Sequence, residues 1–169
     1  MISRNWNNKD NRQFYACFSK AKMSEYEKPL GLESAPELDF IQNYWKNTRS
    51  VMELGAGEGR VIAGLLNRMY RGRIYAIERH PIFLEQLHDV YRSNDQVSIV
   101  QGDLLYPERF PKAEVGLWLW AGIMEFSPRE QRKVLQNFEQ KIEDTLVIET
   151  PSLGSETNAT IEDVHWLEI

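Results

Sequence analysis

"VMELGAGEGR", residues 51 to 60, places three glycines at alternate positions directly after a short apolar run. The run itself contains an acid, Glu53, one residue before its end. Glycine has no Cβ, so this spacing is typical of a backbone that turns tightly or approaches another group closely. The stretch therefore predicts a strand, a turn and a helix, with room for a ligand at the turn.

Further apolar runs follow at regular intervals, and amphipathic segments separate them. The runs cover residues 51–54, 73–78, 97–100, 114–120 and 145–150. Nearly apolar strands that alternate with helices indicate a parallel sheet covered by helices on both faces. We predict a doubly wound α/β fold, in which ligands bind beyond the carboxyl ends of the strands where the strand order reverses. The glycine stretch follows the first strand, which is the expected position.

Three helix starts have recognisable sequence signals. Ser34 and Glu37 have the spacing of a capping box, and so do Ser127 and Glu130. Pro81 is predicted to occupy the first turn of another helix. These signals divide the chain into a leading segment, residues 1–33, and one domain, residues 34–169.

Composition restricts the class of protein. The 169 residues suit one globular domain, and a formal net charge of -5 argues against a surface built for nonspecific nucleic-acid binding. Cys17 is the single cysteine, so an intramolecular disulfide is excluded, as is a zinc site built on several thiolates. No apolar run approaches the ~20 residues that span a bilayer. We expect a soluble cytoplasmic protein without a metal site.

Two cofactor classes use glycine-rich turns after the first strand. A dinucleotide site of the G-x-G-x-x-G type would require a third glycine at position 60, where the sequence has Arg60. The pattern present is E-x-G-x-G-x-G. A carboxylate at Glu53 would repel an anionic pyrophosphate, which favours helix N-terminal amides, but it suits an ammonium group. Over residues 34 to 150 the chain resembles the class I S-adenosylmethionine-dependent methyltransferases.

The resemblance implies a set of residues around S-adenosylmethionine. Glu53 would lie under the methionine part, beside the glycine turn. Glu78, at the end of the second apolar run, would accept hydrogen bonds from the ribose hydroxyls, a role that NAD enzymes share. Asp103 would accept a hydrogen bond from the adenine amino group. The implied cofactor-binding residues are Glu53, Gly55, Ala56, Gly57, Gly59, Glu78, Arg79, Asp103, Leu104 and Trp120.

The family places the methyl acceptor over the end of the fourth strand, here "LWLWAGIMEFSP". This stretch lacks the N/D-P-P-Y/F motif of methyltransferases that act on DNA bases and amide nitrogens. Glu125 is a candidate for orienting an amine or acting as a base, and Tyr15 and Tyr26 are candidates in a lid formed by the leading segment. Ordinary packing explains the two tyrosines equally well, and a solvated loop position is the favoured explanation for Glu125.

We therefore predict a methyltransferase that acts on a small molecule or a protein. Two alternatives remain at this stage: a methyltransferase-like binding domain without activity, and an NAD-dependent oxidoreductase. The family sheet usually has seven strands, whereas only residues 151–169 follow the fifth strand here. An uncovered strand edge invites pairing with another chain. We expect a minimal fold, a homodimer paired through the C-terminal strand, or a fragment of a longer protein.

Overall fold

A five-stranded sheet forms the centre of the computed structural model, which describes residues 28–120 and 122–150. Its strands lie in the order β3-β2-β1-β4-β5, and every neighbouring pair is parallel. The strands are β1 (Ser50–Leu54), β2 (Arg73–Glu78), β3 (Val97–Gln101), β4 (Ala113–Trp118) and β5 (Ile142–Ile148). The strand order reverses at β1, so the predicted doubly wound α/β fold is confirmed.

Helices connect the strands on both faces of the sheet. They are α1 (Glu37–Phe40), α2 (Gln42–Trp45), α3 (Arg60–Asn67), α4 (Pro81–Tyr91) and α5 (Pro128–Phe138). Two short 3-10 turns, Lys28–Leu30 and Gly122–Glu125, complete the described elements. Pro81 opens α4, and Ser127 forms a reciprocal capping box with Glu130 at the start of α5, so both of these helix starts are confirmed.

The capping box predicted at Ser34 is wrong. The helix begins at Glu37, and its N-cap residue is Pro36, which has helical backbone angles. No side chain caps the first turn of this helix. The preceding Ala35 has a φ of 49°, which turns the chain before the helix and separates Ser34 from the first helical amides. A break at Ile41 then divides the predicted helix into α1 and α2.

Alternate residues of the central strands pack into two separate cores. Val51 of β1 packs with α1 to α4, whereas Met52 and Leu54 pack with α5 on the other face. Because successive side chains of a strand point to opposite faces, Glu53 shares the face of Val51. The Glu53 side chain therefore lies on the face of the sheet that α1 to α4 cover.

The described chain ends shortly after β5, which forms one edge of the described sheet. Pairing of a C-terminal strand in a homodimer concerns residues 151–169, which lie outside the described residues, and it stays a prediction. Tyr15 and Tyr26 also lie outside them. Within the described ranges, the helices are too short or too polar to cross a membrane.

Candidate functional site

A pocket opens at the carboxyl ends of the strands, on both sides of β1. Its walls come from the end of β1 and the glycine turn, the end of β2, the loop after β3, and the residues that follow β4. The predicted site residues in its lining are Glu53, Gly55, Ala56, Gly57, Glu78, Arg79, Leu104, Trp120 and Glu125. The pocket therefore lies at the topological switch point of the sheet, where such folds bind ligands.

The glycine turn has two parts with different roles. Gly55 and Gly57 have positive φ angles of 83° and 53°, and a Cβ built on either residue meets no atom within 4 Å. These two glycines leave open space at the pocket wall. Gly59 also has a positive φ, but a Cβ there would lie 2.7 Å from the Tyr91 ring. It is absent from the pocket lining and instead allows α4 to pack against the start of α3.

Glu53 lines the pocket with a carboxylate that is almost completely buried. The residue is 5% exposed, and its Oε2 accepts no hydrogen bond from any residue the structure describes. Burial raises the pKa of this carboxyl well above its usual value; Arg60 opposes the shift, and the nearby charges of Glu78 and Glu37 add to it. An uncompensated buried carboxylate favours a cationic group in the pocket.

Glu78 ends β2 with its carboxylate held by three backbone amides. Its Oε2 accepts a hydrogen bond from Gly57 N at 2.8 Å, and its Oε1 accepts bonds from Arg79 N and His80 N, each at 2.7 Å. A carboxylate has about four acceptor positions. These contacts fix the orientation of the group and leave capacity on Oε2 for a hydroxyl donor.

Arg79 connects the loop after β3 with the 3-10 turn after β4. Its Nη1 lies 3.6 Å from Asp103 Oδ2, and its Nη2 lies 3.3 Å from Glu125 Oε2. Asp103 is absent from the pocket lining, although the following Leu104 contributes to it. Asp103 Oδ1 accepts a hydrogen bond from Leu105 N at 3.0 Å, which shapes the loop.

Arg60 is a pocket residue whose role sequence reasoning missed. It is the first residue of α3, donates a hydrogen bond to Leu32 O at 3.0 Å, and forms an ion pair with Glu37. Its Cζ lies 5.4 Å from the centre of the Trp120 ring. A positive charge in the first turn of a helix interacts unfavourably with the helix dipole, so an arginine at this position indicates a carboxylate partner that compensates for it. That signal was present in the sequence.

Glu149 was also missed, and it supports the backbone next to the pocket. It directly follows β5, and its Oε2 accepts a hydrogen bond from Trp120 N at 2.7 Å. Burial raises the pKa of Glu149, while the hydrogen bond from Trp120 and the charge of Arg60 lower it. Trp120 has a φ of 54° and is 37% exposed. An acid at the end of an apolar strand, as at Glu53 and Glu78, is the available sequence signal.

Trp118 and Trp120 do not share the environment that strand alternation predicts. β4 ends at Trp118, which is 1% exposed and packs edge-on against Phe126 at 5.6 Å between ring centres. The positive φ of Trp120 redirects the chain after the strand has ended. Trp118 is therefore a core residue, whereas the Trp120 ring contacts Arg60 at the pocket.

Comparison with solved structures assigns the fold. An S-adenosylmethionine-bound amino pentose methyltransferase from Micromonospora echinaspora matches with a TM-score of 0.63 and 16% identity, over 83% of this chain and 60% of that chain. A glycopeptide N-methyltransferase in complex with S-adenosylmethionine matches with a TM-score of 0.60 and 16% identity, over 69% and 53%. The chain has the class I methyltransferase fold.

Two further comparisons define the extent of the likeness. An O-methyltransferase family protein from Burkholderia thailandensis matches with a TM-score of 0.61 and 20% identity, over 73% of this chain and 39% of that chain. The ornithine lipid N-methyltransferase of Singulisphaera acidiphila is 33% identical over 61 residues, which are 36% of this chain and 32% of that protein. No family model matches the sequence. The chain spans about a third of this curated relative, and 39% to 60% of these three solved structures.

Proposed function

We propose that this chain binds S-adenosylmethionine and transfers its methyl group to a small-molecule or protein acceptor. The observation that carries the proposal is the buried carboxylate of Glu53 beside an open glycine turn. The carboxylate lacks a hydrogen-bond donor for Oε2 among the described residues, and Gly55 and Gly57 leave the adjacent space empty of side chains. The methionine part of the ligand has an ammonium group and needs such space, so the residues present fit it.

The remaining roles follow from the same geometry. Glu78 would accept hydrogen bonds from the ribose, because its carboxylate is already oriented by three amides and lines the pocket. Leu104 offers an apolar surface to the adenine. Asp103 would need to turn from Leu105 N and Arg79 to reach the adenine amino group.

The bound sulfonium would supply an electrophilic methyl group. The residues of the chain would hold the ligand in one orientation and shield the reacting end from water, because positioning alone can lower such a barrier by several kcal/mol. The relatives are described as acting on amino sugars, glycopeptides or ornithine lipid, and one belongs to an O-methyltransferase family. The fold is therefore compatible with both nitrogen and oxygen acceptors.

Isothermal titration calorimetry with S-adenosylhomocysteine tests the proposal directly. We expect saturable binding, and no response to NADH. The Glu78→Gln variant should bind the ligand about tenfold more weakly, because a charge-assisted hydrogen bond contributes about 1.5–3 kcal/mol. Glu85→Gln is the matched control, since Glu85 is exposed on α4. A folded wild-type protein that does not bind S-adenosylhomocysteine would refute the proposal.

A further inference from the structure

Three exposed cations occupy the first half of α5, close to the pocket mouth. They are Arg129, Arg132 and Lys133, and their spacing of three and four residues places them on one face of the helix. The opposite face of α5 carries Val134 and Phe138, which are buried in the core. The cations therefore form a stripe that points away from the sheet.

Two exposed hydrophobic side chains accompany this stripe. Tyr106, in the loop after β3, is 61% exposed, and the Lys133 Nζ lies 4.6 Å from the centre of its ring. Met124, in the 3-10 turn before α5, is 40% exposed. Gln131 Nε2 holds this turn against the helix, because it donates hydrogen bonds at 3.1 and 2.9 Å to the carbonyls one residue before and two residues after Met124. We use the name rim surface for five residues: Tyr106, Met124, Arg129, Arg132 and Lys133.

The rim surface adjoins the pocket through two segments. Met124 directly precedes Glu125 and Phe126, which line the pocket. Tyr106 follows Leu104, another lining residue, by two positions. Both segments come after the carboxyl ends of strands, β4 in the first case and β3 in the second. The rim surface therefore lies at the edge of the sheet where the pocket opens.

The rim cations lack acidic partners in the part of the chain that the structure describes. Ion pairs form there at other arginines, and neither Arg129, Arg132 nor Lys133 pairs with a carboxylate. Glu130, the acid on the same stretch of helix, takes part in the capping box, in which its Oε2 accepts a hydrogen bond from Ser127 N at 2.9 Å. Arg129 also lies in the first helical turn, where the helix dipole disfavours a positive charge. The rim surface therefore favours an external anion.

We propose that the rim surface docks the protein onto an anionic lipid bilayer. Such a bilayer offers negative headgroups to the three cations and, within about 5–10 Å, an apolar region to the Met124 side chain. Tyrosine suits the boundary between these two regions, because its ring is apolar and its hydroxyl is polar. Each Lys or Arg near an anionic membrane strengthens binding by about fivefold, so the three cations together support reversible docking.

A nucleic acid fits the same residues less well. Unpaired bases bind proteins by stacking on aromatic rings, but Lys133 already covers one face of the Tyr106 ring. Affinity for a phosphate backbone grows with each phosphate that is neutralised, and three cations neutralise few of them. The exposed Met124 side chain has no partner on such a backbone. A bilayer accommodates both the cations and the exposed apolar groups.

Sedimentation of the full-length chain with lipid vesicles tests the inference. The wild type should bind vesicles that contain phosphatidylcholine and phosphatidylglycerol in a two-to-one ratio. This binding should weaken at high salt, because salt screens the attraction between exposed charges. Vesicles of phosphatidylcholine alone should bind the protein at least tenfold more weakly, since they carry no net charge.

Two triple variants locate the charge effect. The rim variant changes its three cations to glutamine, which is a good helix former: Arg129→Gln, Arg132→Gln and Lys133→Gln. It should bind the anionic vesicles at least tenfold more weakly than the wild type. The control variant removes the same charge from exposed positions that lead into β1, β2 and β3, at the opposite edge of the sheet: Lys46→Gln, Arg71→Gln and Arg92→Gln. Its affinity should equal that of the wild type.

Two double variants measure the apolar contribution. Tyr106→Ser combined with Met124→Ser should weaken binding to the anionic vesicles at least fivefold. The matched control is Phe40→Ser combined with Val90→Ser, because these hydrophobic residues are equally exposed but lie on α1 and α4. Its binding should be unchanged. Circular dichroism would check that all four variants stay folded.

The inference does not rest on the proposed function. Failure of the folded wild type to bind anionic vesicles would overturn it, as would equal losses in a rim variant and its matched control. Tighter binding of RNA or DNA oligonucleotides than of vesicles, through the same three cations, would assign the surface to nucleic acid and overturn it too. A protein that binds vesicles but not S-adenosylhomocysteine would keep the docking surface and lose the proposed function.

Discussion

Replacing Glu53 with glutamine should stabilise the free protein. The pKa of this carboxyl is raised well above 4.5, mainly by burial. The protonated form is therefore favoured by the folded state, and its stabilisation is complete below the unfolded pKa and lost as pH rises through the folded pKa. As pH rises through this raised pKa, the buried carboxyl has to ionise without a hydrogen-bond donor for Oε2 among the described residues. At alkaline pH, such as pH 8, we therefore expect the neutral amide to raise the free energy of unfolding by about 1–2 kcal/mol.

The same substitution should weaken ligand binding, because glutamine offers no charge to the methionine ammonium. A hydrogen bond between charged groups contributes about 1.5–3 kcal/mol, and 1.4 kcal/mol corresponds to a factor of ten. We expect the Kd for S-adenosylhomocysteine to rise about tenfold to hundredfold. Urea denaturation and calorimetry would measure both effects, with exposed Glu85→Gln as the control for charge removal.

Opposite signs for stability and affinity are the distinctive feature of this prediction. If Glu53 had only a structural role, its replacement would lower the free energy of unfolding. The apparent affinity for the ligand would then fall only as far as the fraction of folded protein falls. A Glu53→Gln protein that is less stable than the wild type at pH 8, with unchanged affinity for S-adenosylhomocysteine, would refute the reasoning.

Four further substitutions test the fold around the site. Ser127→Ala removes the side-chain acceptor of the α5 capping box and should lower the free energy of unfolding in urea by about 0.5–2 kcal/mol; an unchanged midpoint would contradict this. Gly59→Ala should lower the free energy of unfolding by about 2 kcal/mol or more, because the new Cβ would lie 2.7 Å from the Tyr91 ring at a φ of 90°. Gly57→Ala should lower it less, because a Cβ at that position meets no atom within 4 Å. Burial and the charge of Glu53 raise the pKa of Tyr91 to about 12. The unfolded state therefore loses this proton first, and the free energy of unfolding should fall as pH rises from about 10 to about 12. In Tyr91→Phe that decline should be shallower, and an identical pH profile would exclude the assignment.

The architecture could be predicted because apolar runs and helix signals report on burial over several residues. β2 has the predicted bounds, Arg73–Glu78. β5 begins at Ile142, three residues before the predicted strand. The apolar pattern missed these first residues because Glu143 and Asp144 are charged and lie exposed at the sheet edge. An edge strand tolerates charged residues that a central strand does not. Apolar pattern alone therefore locates central strands better than edge strands.

The site could be predicted in part, since acids at strand ends are visible in the sequence. The pairing of Arg60 with Glu37, and the approach of Glu149 to Trp120, depend on which elements are neighbours in space. The strand order β1-β4-β5 brings the end of β5 next to Trp120, which lies two residues after the end of β4. The positive φ of Trp120 also breaks the strand alternation that would place its side chain on the same side as that of Trp118. No local pattern contains this information.

Several residues at this edge of the sheet break local rules of sequence and structure. Glu53 is a buried acid in a central strand, Arg60 is a cation at a helix N-terminus, and Trp120 is a non-glycine residue with a positive φ. Such exceptions persist where other contacts compensate for them, and they concentrate at functional sites. Glu37 compensates Arg60, and Glu149 supports the backbone of Trp120. Within the described residues, Glu53 Oε2 has no equivalent partner. The proposed ligand would supply a positive charge inside the pocket, so we predict that ligand binding and folding stability are coupled through this one carboxylate.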